Sequence, residues 1–377
     1  MSSGARALGL TIGSLRAGVH DAITDVDGVL VGHTTLVEGD GALVVGKGPV
    51  RTGVSVVLPH SLIWRRPVFA GIHRLNGNGE LTGTHWIEES GLLSTAIGLT
   101  NTHSVGVVRD ALVREHFRVR GADTPFWSMP VVGETWDGVL NDLNGHHVTA
   151  DHVAAALRDA SGGPVAQGAV GGGTGMICHD FKGGIGSASR IVADADGGYT
   201  VGVLVQANHG RRERLTIEGV RVGEAIPFAD VPPPRTPRAE GTGDGPSISA
   251  GAGSIIVILA TDAPLLPHQC KRLAQRAALG IGRTGGVGEH YSGDLFLAFA
   301  TGNRTLEPDV MGATPPHERA LRMLDNQYIT ALFDAAVEAT EAAIVNALVS
   351  AETTTGRDGI TAHALPTDRL IELLGSP

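Results

Sequence analysis

Apolar positions along the chain fall into short runs separated by glycine. "GVSVVLP", "SVGVVRDALV", "GGIGSASRIV" and "TVGVLVQAN" are strand-length and rich in valine or isoleucine, so they predict strands. "TADHVAAALRDA" predicts a helix with Thr149 as its N-cap. Farther along, "SIIVILATD" is apolar without alternation, the pattern of a strand covered on both faces. "PHQCKRLAQRAALG" predicts a helix with Pro267 in its first turn and Gly280 just past its end. "SGDLFLAFATGN" predicts another strand. The longest helix is expected over about residues 326–351, with Ile329, Leu332, Phe333, Ala336, Val337, Ile344 and Leu348 on one face. No fixed-period repeat is present, which argues against a solenoid or propeller. Together these elements predict a layered α/β protein with helices packed on sheets.

One segment breaks the pattern. "VPPPRTPRAEGTGDGPSISAGAG", 231–253, has five prolines, several glycines and no amphipathic period, and is expected to be an exposed, flexible connector. It stops at Gly253, and the apolar strand begins at once with Ser254.

Composition narrows the function classes. Hydrophobic residues make up 42% of the 377, enough for a substantial core, whereas aromatics are only 4% and glycines number 54. Close backbone packing with aliphatic filling follows. The net charge is −10 and the basic residues are scattered, so no stripe exists to neutralise a nucleic-acid backbone. Cys178 and Cys270 show no metal-ligand spacing, and two buried thiols in a reducing compartment are expected. The start, "MSSGARALGLTIGSLRAG", lacks a signal-peptide core, and no segment is apolar enough to span a bilayer. A cytoplasmic protein with no membrane or nucleic-acid partner is the expectation.

Two glycine- and histidine-rich stretches invite stronger readings than they support. "GAVGGGTGMICHDFKGG" matches neither phosphate-binding glycine motif, so tight turns and close packing are expected there. In "HHVTADH", His146, His147 and His152 are spaced five and six apart, off a common helix face, and are expected to be surface or loop-capping histidines.

Ser254 is the sharper candidate. No G-x-S-x-G elbow surrounds it, and a serine opening a strand is an ordinary structural choice. The alternative is chemical. If the chain is cut between Gly253 and Ser254, the serine gains a free α-amine. That amine titrates at roughly 7.7–8.0, so near neutrality it can take a proton from the hydroxyl. Self-cleavage by that hydroxyl needs a strained turn at the preceding carbonyl, and Gly253 has no Cβ to obstruct one.

"GSIIVILATDAPLLPHQCKRLAQRAALGIGRTGG" and "SGDLFLAFATGN" resemble the β-subunit of the L-aminopeptidase/D-esterase and β-peptidyl aminopeptidase family. "ITDVDGVLVGHTTL", "GIHRLNGNGELTG", "GLTNTHSVGVVRD", "VVGETWDGVLNDLNG", "GAVGGGTGM" and "VGVLVQANHGRRERLTI" extend the resemblance over nearly the whole chain. It implies a single four-layer αββα sandwich resembling the N-terminal nucleophile hydrolases, with different connectivity. It also implies self-cleavage into an α-subunit, 1–253, and a β-subunit, 254–377, assembled as homo-oligomers of αβ units, with no cofactor and no metal. Substrates would be small peptides, amides or esters.

By motif, Ser254 is implied as nucleophile, and Ser292 and Asp294 in "YSGDLF" as the serine–acid pair, where relatives often carry Glu. Asn208 in "VQANHG" is implied as the oxyanion donor, and Glu134 in "VVGETWDG" as the acid that binds the substrate ammonium group. Trp136 stands where Tyr is expected, so a hydroxyl is replaced by an indole N–H. Two other readings stay open at this point: a hydrolase of ω-amino-acid oligomers on the same fold, and an uncut, non-catalytic binding protein. An ornithine acetyltransferase of this architecture would use threonine in place of Ser254.

Overall fold

The computed structural model describes residues 4–121, 126–234, 253–307 and 316–375. Most of the expected connector, 235–252, lies outside the described residues.

The chain forms strands β1 (Leu30–Glu38), β2 (Val50–Leu58) and β3 (Val68–Gly77), then helix α1 (Thr84–Ser90) and strands β4 (Leu92–Leu93) and β5 (Ile97–Asn101). Helix α2 (Val105–Arg120), β6 (Val131–Thr135) and α3 (Ala150–Asp159) follow. A short hairpin, β7 (Ile177–Cys178) and β8 (Phe181–Lys182), leads into β9 (Gly184–Ile191) and β10 (Thr200–Asn208). After α4 (Val222–Ala225) come β11 (Ser254–Thr261), α5 (Pro267–Arg283), β12 (Gly293–Ala300), α6 (Ile329–Val349) and α7 (Thr367–Leu374).

Two sheets carry the fold. One has the order β1-β2-β5-β6, the other β4-β3-β12-β11-β10-β9. Among the described residues, only β5–β6 and β11–β12 pair in parallel; the other pairs in these sheets are antiparallel. Helices α2 and α3 cover the outer face of the first sheet, and α5 and α6 that of the second. The inner faces meet in a shared apolar layer that includes Val57, Ile97, Leu99, Val131, Ile256, Ile258, Leu297 and Phe299. The result is the expected αββα stack.

Strand β11 shows why its sequence lacks alternation. Ile255, Val257 and Leu259 point into the core under α5 and α6, and Ile256, Ile258 and Ala260 point between the sheets. Both faces are dry, so both need apolar side chains.

Three local expectations are corrected. "SVGVVRDALV" lies almost wholly in helix α2, not in a strand. Its buried Val105, Val108, Ala111 and Leu112 recur at three and four residues, a period masked by the density of valine. Helix α5 runs on past Gly280 to Arg283. Gly280 lies where α5 meets α6, and a methyl group there would fall 2.6 Å from Thr340 Cβ and 2.7 Å from the Val337 carbonyl. Helix α6 is buried almost all round, not on one face only. Thr149 does cap α3, where His152 Nδ1 accepts the Thr149 backbone N–H at 3.0 Å.

Candidate active site

Ser254 opens β11 at the edge of the layer between the sheets. It pairs with Asn208, the last residue of β10, while Ile255 pairs with Asp294 of β12. By strand alternation Ser254 follows Ile256 toward the opposite sheet, and Asn208 follows Leu204 the same way. The preceding Gly253 is pressed against β10: a methyl group there would lie 1.9 Å from the Asn208 carbonyl oxygen. Only glycine fits. Ser254 is 5% exposed, and its hydroxyl accepts the Gly293 backbone N–H at 3.0 Å.

Ser292 donates its hydroxyl to Asp294 Oδ1 at 2.6 Å. Burial pushes the Asp294 carboxyl up to about 6 and the charge of Glu289 adds to that; the Ser292 hydroxyl and the Ile255 backbone N–H oppose it. Asp294 follows the parity of Phe296 and Ala298, which face the helices. The serine–acid pair therefore lies along the backbone at the start of β11, on the face away from the Ser254 hydroxyl. That is where a newly freed α-amine would need a partner.

Asn208 is held at both ends of its amide. Its Oδ1 accepts the Ile177 backbone N–H at 2.8 Å, and its Nδ2 donates to the Trp136 carbonyl at 2.9 Å. An amide nitrogen has two protons, so one remains for an oxyanion. Trp136 thus meets Asn208 through its backbone. Its half-buried ring lies over Gly138, where a methyl group would sit 2.5 Å from the indole.

Glu134, near the end of β6, is 3% exposed. Its Oε1 accepts the Glu80 backbone N–H at 3.0 Å and its Oε2 accepts the Thr102 hydroxyl. Burial raises its pKa against the pull of those two bonds. A methyl group at Gly79 would lie 3.0 Å from Glu134 Oε1 and 3.2 Å from Gly293 Cα, so one glycine separates the buried carboxylate from the residue that contacts Ser254. All the residues singled out by sequence therefore converge on one corner of the sandwich.

Sequence reasoning missed Gly79, Gly293 and Thr102, which build this corner. The signal was the "GNGE" run, two glycines beside an acid in an otherwise strand-like stretch. It also missed a buried group formed by Cys178, His179 and His209, whose donor atoms lie within 4.8 Å of one another. These residues are adjacent or distant in the chain, so no ligand spacing announced them. The weighed histidines behave as expected: His147 Nε2 bonds Asp142 at 2.9 Å and His152 caps α3. Both thiols are free and buried. No helix among the described residues is long and apolar enough to cross a membrane.

Comparison with known proteins places this geometry. The model of peptidase family S58 matches residues 21–362. A β-peptidyl aminopeptidase, BapA, of Sphingosinicella microcystinivorans is 48% identical over 98% of this chain and 91% of its own length. Among solved structures, a β-aminopeptidase of a Burkholderia species superposes with a TM-score of 0.88 at 51% identity, covering 98% of both chains. The L-aminopeptidase/D-Ala-esterase/amidase of Ochrobactrum anthropi, described as a prototype of the serine aminopeptidases and a new variant of the Ntn hydrolase fold, superposes with a TM-score of 0.86 at 43% identity, covering 99% of this chain and 98% of its own. With a matched stretch this long and a shared αββα stack, the chain belongs to peptidase family S58 and is a hydrolase on that variant of the Ntn fold.

Proposed function

We propose that the chain cuts itself between Gly253 and Ser254 and then works as an N-terminal-serine aminopeptidase. Its substrates are short peptides, amides or esters with a free amino terminus, β-amino residues among them. The observation that carries this reading is the position of Ser254: it opens β11 beside Asn208, and one glycine lies between its contact Gly293 and the buried Glu134. The β-aminopeptidase names of the similar proteins support the β-residue preference.

In the proposed cycle the freed α-amine of Ser254 takes the hydroxyl proton, and the oxygen attacks the substrate carbonyl. The second N–H of Asn208 stabilises the oxyanion. The leaving amine departs with the transferred proton, and an ester on Ser254 remains. Water, deprotonated by the same amine, splits that ester and releases the acid. Ser292 and Asp294 orient the α-amine and stabilise its protonated form. Glu134 pairs with the substrate ammonium, a contact that an internal residue of a peptide cannot make. Homo-oligomers of αβ units in the cytoplasm complete the proposal.

Intact-mass measurement with N-terminal sequencing tests the first half, with two chains expected, the smaller beginning Ser-Ile-Ile-Val. Ser254→Ala is expected to stay as one chain and to lose turnover. Retained hydrolysis of aminoacyl nitroanilides by that variant would sink the mechanism. N-acylation of the substrate tests the second half and separates this reading from a hydrolase of ω-amino-acid oligomers. The aminopeptidase loses activity on N-acylated substrates; the oligomer hydrolase keeps it.

A further inference from the structure

Behind the end of β10 lies a polar cluster that the proposed hydrolysis does not use. Cys178 closes β7, His179 is the first turn residue of the β7–β8 hairpin, and His209 follows Asn208. Cys178 and His179 are fully buried and His209 is 5% exposed. One ring nitrogen of each imidazole and the thiol sulfur lie within 4.8 Å of one another.

The cluster is held from outside. The His179 backbone N–H donates to the His209 carbonyl at 2.8 Å, which ties the hairpin to the end of β10. His179 Nδ1 bonds the Arg211 carbonyl at 3.0 Å and so carries the proton, leaving a lone pair on Nε2. That nitrogen has no hydrogen-bond partner, and neither has His209 Nε2. A methyl group at Gly210 would strike the His179 ring at 2.3 Å, so the ring is clamped in place. A ring fixed by an N–H bond to a backbone carbonyl, with its other nitrogen bare in a dry pocket, is the arrangement found around metal-bound histidines.

A hydrogen bond between the Cys178 thiol and His209 Nδ1, 3.8 Å apart, explains that pair but not the bare nitrogen of His179. The same distance fits a shared ion. For a d10 ion with bonds of roughly 2.3 Å to sulfur and 2.0 Å to nitrogen, a trigonal centre puts the two donors about 3.7 Å apart and a tetrahedral one about 3.5 Å.

We propose that Cys178, His179 and His209 form a three-coordinate site for copper(I). Three observations select this ion. The cluster offers three donors, with no fourth His, Cys, Asp or Glu among the described residues. Its sulfur and imidazole donors are those that suit copper(I). Its surroundings are already close to charge balance: the Arg212 guanidinium, on the carbonyls of His179 and Asp180, lies beside the Asp180 carboxylate, and burial disfavours the charged form of Lys182. A copper(I) ion with one thiolate adds no net charge there, whereas a divalent ion adds one positive charge without water to screen it. Binding replaces the Cys178 S–H bond with a metal–sulfur bond and releases one proton. The loaded ion links the β7–β8 hairpin to the strand that carries Asn208.

The test uses the full chain, loaded anaerobically with copper(I) both during expression and after purification, in competition with bicinchoninate. About one copper(I) per chain withheld from the chelator is the expected result, with X-ray absorption showing one sulfur and two nitrogen neighbours. Cys178→Ser and His179→Gln are expected to lose the ion at least tenfold more readily, and His147→Gln, in a loop elsewhere, to bind like the parent. A parent chain that withholds no copper(I), or takes zinc(II) stoichiometrically in its place, overturns the proposal. If the variants fail to fold, absorption spectra of the parent chain decide: a centre without sulfur is equally fatal.

Discussion

The middle and the end of the layer between the two sheets are equally buried, yet they are built from opposite materials. In the middle, Ile256, Ile258, Leu297 and Phe299 share one apolar cluster with Val57, Ile97, Leu99 and Val131. At the end, the same β10 and β11 present Asn208 and Ser254, flanked by Gly79, Gly253 and Gly293, with Glu134 reached through Gly79. The apolar middle fixes the distance between the sheets by packing. The glycines at the end let the backbones approach more closely than any side chain allows, so polar groups sit in a dry setting where each bond is strong and each missing bond is costly. The raised pKa values of Asp294 and Glu134 are the electrostatic result of that burial.

The contrast breaks most completely at Gly253. A side chain there would overlap the Asn208 carbonyl, 1.9 Å from the first added carbon. Gly253→Val is expected to leave the chain as one piece, read by intact mass over a period in which the parent converts fully; conversion at the parental rate would remove the glycine argument. In the middle, Ile258→Ala is expected to cost about 2–5 kcal/mol in chemical unfolding with KM unchanged, because it leaves a cavity away from the polar end.

A smaller effect is expected at Glu134. Glu134→Gln keeps the shape but loses the charge-assisted contact, worth about 1.5–3 kcal/mol. KM for amino-terminal substrates should rise about 10- to 150-fold while chain cleavage persists; an unchanged KM would take the ammonium role away from this residue. The least disruptive change is Asp294→Asn. Activity of the parent should fall as pH drops through about 6, where the buried carboxyl takes up its proton. The variant should lose that acidic limb along with part of its rate. Stability runs the other way. The folded carboxyl holds its proton up to about 6 whereas an unfolded aspartate releases it near 3.9, so the parent loses stability as pH rises across that window. Asn should flatten this slope in a pH series of unfolding curves.

Much of this was legible in the chain. The unalternating run after Ser254 predicted a strand with two dry faces, and Ile255 and Ile256 do point to opposite cores. The family motifs marked Ser254, Ser292, Asp294, Asn208 and Glu134, and the fold gathers them at one corner. What failed was periodicity in segments with too little contrast. Helix α2 is dense in valine, which hid its period, and α6 is buried almost all round, so the single apolar face read for it was only part of its buried surface. Gly280 looked like a stop signal because a helix-ending glycine and a helix-crossing glycine are the same letter.

The sequence by itself determined which strands are doubly buried, where the glycine–serine junction falls and which residue types are available for chemistry, because these depend on local apolar runs and motif spacing. Only the tertiary structure decided that Asn208 meets the backbone carbonyl of Trp136, not its ring, that Gly79 stands between Glu134 and Gly293, and that Cys178, His179 and His209 share one pocket. Those contacts join residues from different strands, and their distances are set by how closely two sheets and a hairpin can pack, a quantity that no single stretch of sequence contains.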